Sequence, residues 1–428
     1  MCDTGMRVLT TTICYPTADK PEQGVFVQRR AAAMAERGGM DVQVVAPQLW
    51  CPLLRRAPRL VDERWPVPVT YPRMPSVPVL GWATDGVSFG RTLERSILEH
   101  GGPAAFDLID AHFEYPDGVG AWLAGRKLGI PVAVTARGKI VSLSRKALRR
   151  AQIARMLRGV DARIAVSRSL ADWVHRVGGS DLQVDVIPNG VETATFQPVD
   201  RAEARRELGW SPNARYLLAV GHLQRVKGFD RLVSILPEIR ARMGDVRLVL
   251  AGSSRGEWSF RRRLGRLIAT CGGAPAVTFV GAVDPERLNL LYNAADLFVN
   301  GSRSEGWNNA IAESLAAGTP VVAFDVGGNA EQICSRKLGR IVPDGDLYAF
   351  ADAVCEALTC EWNRVLIAAH GGARSWDQVG REVRRVFDRV LKERASARTA
   401  APERLFGLSL SSAEILTPSR GLAWEVRR

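Results

Sequence analysis

Short apolar runs alternate with helical stretches in two successive series along this chain, and that rhythm restricts the fold more than any single residue does. In the first series, Arg7 to Cys14 reads as a strand, Gly24 to Arg37 as a helix and Asp41 to Ala46 as a second strand. Further strands are expected at Leu108 to Ala111, Val132 to Thr135, Arg163 to Val166 and Val184 to Ile187. The second series has strands at Tyr216 to Val220, Val246 to Ala251, Val277 to Val280, Leu297 to Asn300 and Val321 to Phe324. Strands separated by helices pair in parallel, and a parallel sheet has to be covered on both faces. The pattern therefore predicts an α/β protein of two Rossmann-like, doubly wound parallel-sheet domains facing a cleft. At 428 residues the chain exceeds one ordinary core and suits two domains of about 190 residues each.

The turn Val186-Ile-Pro-Asn-Gly190-Val-Glu, running on to Phe196-Gln-Pro198, marks the junction. The expected division is 1–192 and 193–372, with a helix over 373–396 introduced by Ser375-Trp376 and a flexible tail over 397–428. One interval breaks the alternation. Pro47, Pro52, Pro58, Pro66, Pro68, Pro72, Pro75 and Pro78 predict an extended, non-helical region. It carries Leu49, Trp50, Leu53, Leu54, Arg55 and Arg56, a mixture suited to touching lipid or to packing on the domain.

Composition narrows the class. Apolar content of 46% is that of a soluble globular protein, no run approaches the ~18 apolar residues that cross a bilayer, and the N-terminus lacks a signal-peptide layout. Seven scattered cysteines without a Cys-x-x-Cys pair predict reduced thiols and a cytoplasmic setting rather than a disulfide framework. Five dispersed histidines form no metal cage, and no metal is expected. The formal charge of +13 would attract nucleic acid, an anionic membrane or a pyrophosphate-bearing substrate alike. Between Arg137 and Arg168 ten basic residues face the single acid Asp161, and Leu148, Ala151, Ile153, Leu157 and Val160 can form an apolar side to the same helix. Arg145 to Arg158 is thus a candidate contact with the inner face of the cell membrane, or a solvated helix face.

Chemistry concentrates between Asp296 and Asn329. Glu305 and Glu313 are separated by seven residues and flanked by Gly306, Trp307, Asn308, Gly318 and Pro320. Eight residues of ideal helix turn through about 80° modulo full turns, so the two acids would not share one stripe of a helix. They converge if Glu305 lies in a loop after the strand and Glu313 lies on a helix capped by Asn308 or Asn309 and ended by Gly318. That places them at the carboxyl edge of a parallel sheet, where open α/β proteins bind ligands. Gly327 and Gly328 follow the next strand, and their free amides could cradle an anion. In the first strand-to-helix turn of the second series, Gly221-His222-Leu-Gln-Arg225-Val-Lys227-Gly228 supplies cations. Asp344 and Asp346 read as a turn and helix cap rather than a metal motif.

Together these segments resemble retaining glycosyltransferases of family 4, which have the GT-B fold, over roughly residues 6 to 395. The resemblance implies that Glu305 faces the transferred sugar and that Glu313 binds ribose hydroxyls of the nucleotide. It implies a diphosphate gripped by Lys227, with His222 standing where the family has Arg, so that His222 or Arg225 supplies the missing group. Gly24, in Gln23-Gly24-Val25-Phe26-Val27, matches a first loop that approaches the donor phosphates. The family motif His-Gly, with Asp two residues on, reads Arg137-Gly138-Lys139-Ile140 here, so Arg137 replaces the His that contacts the sugar. His112 and Glu114 are candidate cleft groups, His112 equally a structural hydrogen-bonding one. The helix at 373–396 would cross back to brace the first domain.

The expected catalytic residues are Glu305, Lys227, Arg137 and His112. Donor binding is expected from Gly24, Gly221, His222, Arg225, Lys227, Glu305, Gly306, Trp307, Asn308, Glu313, Gly327 and Gly328. The implied reaction is metal-independent, needs no cofactor, and moves a hexose-type sugar from a nucleotide diphosphate to an acceptor hydroxyl with retention. The implied acceptor is a lipid-linked glycan in surface-polysaccharide assembly. A nucleotide-sugar epimerase of the same architecture is the nearest alternative; a basic nucleic-acid-binding protein would explain the charge but not the paired acids.

Overall fold

The computed structural model describes residues 5–51, 67–77, 81–253, 258–270 and 276–400. Leu53, Leu54, Arg55 and Arg56 of the Pro-rich interval, Cys2, Cys271 and residues 401–428 lie outside them, whereas 397–400, expected to begin the flexible tail, continue the last helix.

Seven strands form the first sheet, in the order Val69–Thr70, Asp41–Val45, Arg7–Thr11, Leu108–His112, Val132–Ala136, Ala162–Ala165 and Asp185–Val186, with every neighbouring pair parallel. Six strands form the second, in the order Val277–Gly281, Val246–Ala251, Arg215–Val220, Leu297–Asn300, Val321–Phe324 and Gly339–Val342, again all parallel. In each sheet the order reverses beside its first strand, which opens a crevice at the carboxyl ends. Alternate residues of one strand enter different cores. Val8 and Leu9 join opposite clusters in the first sheet, as do Leu217 and Leu218 in the second. Both sheets are therefore doubly wound, as the alternation predicts.

The Pro-rich interval holds three short strands the sequence reading omitted: Val69–Thr70, which extends the first sheet beside Asp41–Val45, and Gln48–Trp50 and Arg73–Pro75, which pair in parallel with each other. No helix occurs among its described residues, and the next helix begins at Gly81.

The helix Trp376–Ala400 leaves the second sheet behind and joins the core on one face of the first. Trp376, Val379, Val383, Val386, Phe387 and Val390 pack there against Val27, Ala31 and Met34 of the helix Val25–Glu36. Ion pairs from Arg389 to Asp185 and from Arg394 to Asp161 hold the same helix along its length.

The basic helix Ala147–Gly159 differs in detail from its expected form. Its core face is Ile153, Met156 and Leu157, whereas Leu148 is 50% exposed and Ala151 is exposed. Several of its cations hold the protein itself: Arg158 donates to the Gly178 carbonyl (2.7 Å), and Arg155 stands over the Trp122 ring. Among the described residues no helix is long and apolar enough to cross a membrane.

Candidate functional site

The two sheets meet where the loops after their strands touch. In the second domain the strand Leu297–Asn300 runs into a loop ending at Asn308, whose side chain accepts a hydrogen bond from Ala310 N–H and caps the helix Asn309–Ala316. Gly318, at φ 79°, follows the end of that helix. Glu305 thus lies on the loop and Glu313 on the helix.

Glu305 is the focus of the site. Lys227 Nζ lies 2.7 Å from Glu305 Oε1, and the same oxygen accepts from Ser302 Oγ at 2.7 Å and from Asn308 Nδ2 at 3.4 Å. Its side chain is only 8% exposed. Lys227 reaches it from the short turn Arg225–Lys227, its stem lying alongside Gly221. His222 is half-buried and hydrogen-bonds Ser253 Oγ through Nδ1 at 2.8 Å. Burial lowers its pKa, with Glu22 opposing and Lys227 adding to the effect. Arg225 is exposed, and its carbonyl accepts from Arg303. His222 lies within the field of Lys227, and Arg225 shares the turn that carries Lys227.

Gly327 and Gly328 are placed against the same loop, for a reason other than free amides. The Gly328 N–H donates to the Gly306 carbonyl at 3.1 Å. Gly327 sits at φ 58°, and a Cβ on it would lie 2.1 Å from the Glu305 carbonyl oxygen. These glycines allow one loop to lie flat on the other and so set the height of Glu305.

Glu313 lies apart from Glu305 and accepts from Tyr292 Oη at 3.0 Å. Burial pushes its pKa up to about 7, against the pull of Arg29 and the Tyr292 hydrogen bond. Arg29 belongs to the helix Val25–Glu36 of the first domain, so the second acid lies within the field of a cation from the other domain.

The first domain supplies a buried relay behind its own loops. Arg137 Nε donates to His112 Nδ1 (2.8 Å), and His112 Nε2 bonds Asp110 (3.0 Å), which pairs with Arg30. His112 is fully buried, and burial together with Arg137 and Arg30 outweighs Asp110 to hold its pKa at about 3. Its two ring nitrogens are occupied and the ring is neutral, so His112 positions Arg137 instead of entering the cleft. Arg137 is 9% exposed; Nη1 donates to Asn189 Oδ1 at 2.8 Å, the guanidinium stands over the Phe26 ring, and Nη2 has no hydrogen-bond partner among the described residues. Gly24, at φ 73°, brings the start of the first helix against the Cys14 carbonyl.

Contacts across the seam are close. A Cβ on Gly138 would lie 3.1 Å from Gly306 backbone, and Asn189 Nδ2 donates to Asn309 Oδ1 at 2.9 Å. Trp307, expected at the donor, is partly buried and packs against the first domain's core. Glu331 crosses the seam as well, accepting from the amides of Arg168 (2.9 Å) and Ser169 (3.1 Å) at the start of the helix Arg168–Gly178. The sequence reading missed Ser302, Asn189, Asn309 and Glu331. Of these only Asn189, in its Pro-Asn-Gly turn, and Asn309, beside the helix cap, carried a local signal. Asp346 caps the helix Leu347–Thr359 and Asp344 pairs with Arg231.

Residues 23–195 match the family described as Glycosyltransferase Family 4, and residues 200–371 match that described as Glycosyl transferases group 1. A D-inositol 3-phosphate glycosyltransferase of Acidothermus cellulolyticus is 32% identical over 71% of this chain and 71% of its own. The chain belongs to glycosyltransferase family 4. Another D-inositol 3-phosphate glycosyltransferase, from Rhodococcus jostii, is 27% identical over 87% of this glycosyltransferase and 85% of its own length. Among solved structures, sucrose-phosphate synthase from Thermosynechococcus elongatus superposes with a TM-score of 0.68 at 22% identity, covering 92% of this chain and 98% of that one. Anabaena HepE in complex with UDP and glucose superposes with a TM-score of 0.65 at 19% identity, covering 92% and 100%. These likenesses establish the GT-B fold of this glycosyltransferase.

Proposed function

We propose that the protein is a retaining, metal-independent hexosyltransferase that moves a hexose-type sugar from a nucleoside diphosphate to an acceptor hydroxyl. The observation that carries this reading is the Lys227–Glu305 contact of 2.7 Å at the carboxyl edge of the second sheet, beneath the loop of Arg137 and Gly138. As the anomeric C–O bond breaks, negative charge grows on the departing phosphate. A cation ~4 Å away is worth about 4 kcal/mol at an effective dielectric of 20. Lys227 supplies it, while Glu305 receives hydroxyls of the sugar and Glu313, steadied by Tyr292, receives those of the ribose. The acceptor oxygen bonds to the anomeric carbon on the face the phosphate leaves, and its proton passes to a phosphate oxygen. The products are the glycoside and the nucleoside diphosphate. Contact of the two domains over the site excludes water and so limits hydrolysis.

The acceptor we propose is a lipid-linked glycan at the cytoplasmic membrane face. Exposed Arg145, Lys146, Leu148 and Arg150, at the start of the basic helix, support that setting. A second reading, an inositol phosphate acceptor, is favoured by the activity for which the relatives are named.

A melting-temperature panel of nucleotide sugars identifies the donor, since a ligand at 100 times its Kd stabilises by about 2.7 kcal/mol. Incubation of that donor with each acceptor then separates the two readings, and the anomeric configuration of the product reports retention. Lys227→Ala is expected to lower turnover by about 10²- to 10³-fold. Near-normal turnover would remove Lys227 from the mechanism, and an isomerised nucleotide sugar formed without acceptor would show an epimerase.

A further inference from the structure

A second charged cleft opens on the opposite edge of the same sheet. Because the strands are parallel, their amino ends all lie away from Glu305. There Arg201, Arg205, Arg215 and Arg364 line a cavity of about 680 Å³ with only Asp296 and Glu361 as acids. Asp296 is already committed: it pairs with Arg201 at 3.0 Å and Arg205 at 2.7 Å, and it accepts from the Tyr216 amide at 2.6 Å. Arg215 donates to the Met243 carbonyl, and Arg364 to the carbonyls of Asn293 and Ala295 and to Thr319 Oγ1. Among the described residues neither Arg215 nor Arg364 has a carboxylate partner.

Carbonyl oxygens satisfy the hydrogen bonds of a guanidinium but leave its charge unneutralised. Four cations against two anions in an open polar cleft leave an excess of two positive charges, and burial with the neighbouring Arg201 and Arg205 depresses the pKa of Arg364 to about 10. The half-buried Trp362, its Nε1 tied to the Ala357 carbonyl at 2.8 Å, adds an aromatic side to the cleft. Such a cleft attracts a compact, multiply charged anion, and guanidinium groups match the geometry of phosphate oxygens.

We propose that this cleft is a binding site for a small phosphate-bearing molecule, separate from the donor site and independent of the reaction assigned to it. Arg201 and Arg215 provide the charged contacts, while Arg205 and Arg364 hold the walls through the backbone carbonyls they serve.

Pyrophosphate, titrated against the melting temperature of the full chain at ionic strength held constant with chloride, tests this. The titration is run on Lys227→Ala, so that the donor site contributes little to the shift. A saturable rise is expected, with apparent Kd weakened tenfold or more when Arg201→Gln and Arg215→Gln are added; tenfold corresponds to about 1.4 kcal/mol. The melting temperature without pyrophosphate reports whether the added substitutions leave the fold intact. A rise that is absent, or unchanged by the two substitutions, overturns the proposal.

Discussion

Glu114 is enclosed at the carboxyl edge of the first sheet. Burial pushes its pKa up to about 7 from the ordinary 4.5, against the pull of the backbone amides of Glu114 and Arg137 and the field of Lys139. The folded protein therefore holds a proton that the unfolded chain has released across that interval. Folding takes up this proton, so the contribution of Glu114 to stability declines as pH rises from about 4.5 to 7 and is level on either side. Asp117, raised by burial to about 6, acts in the same direction. Glu114→Gln should flatten the loss of melting temperature between pH 5 and pH 7.5, leaving the slope due to Asp117 and Glu313. Identical slopes in the two proteins would mean that Glu114 does not titrate in this range.

At the scale of elements, the proposed reaction depends on one loop resting on another. Gly327→Ala places a methyl carbon where the Glu305 carbonyl now stands, so the loop carrying Glu305 has to move. Misplacement by about 1 Å can cost about 10²-fold, and a loss of that size in kcat/KM is expected for a protein that still melts cooperatively. Unaltered kinetics would show that the contact between the loops does not set the position of the acid. The unit was readable because its parts are neighbours in the chain. The strands Leu297–Asn300 and Val321–Phe324 match their expected limits, since apolar runs bounded by Gly and Pro leave little latitude. Gln48–Trp50 and Arg73–Pro75 were not readable, because two- or three-residue strands among prolines exist only through their pairing with each other. Distance in sequence hid the seam in the same way. Asn189 and Asn309 are 120 residues apart, and Glu331 and Arg168 are 163. The chain neighbours of His112 leave a cleft role and a structural one equally open, because Arg137, which bonds its ring, is 25 residues away.

At the scale of the molecule, the pairing of Glu331 with two amides joins the domains where a helix presents its positive end. Removing it leaves those donors to water and should favour a more open arrangement. Hydrogen bonds to charged groups contribute about 1.5–3 kcal/mol. Glu331→Ala should therefore increase the radius of gyration measured by small-angle X-ray scattering. An unchanged radius would place the hold between the domains elsewhere, in Asn189–Asn309 or Trp307. The last helix ties the halves by another route. Six of its apolar side chains complete a core otherwise made by the first half of the chain. During synthesis that half leaves the ribosome with an oily flank bare, and it stays so until some two hundred further residues have been added. The newborn protein thus passes through a long interval of exposure, in which chaperone occupancy should track the distance to residue 376.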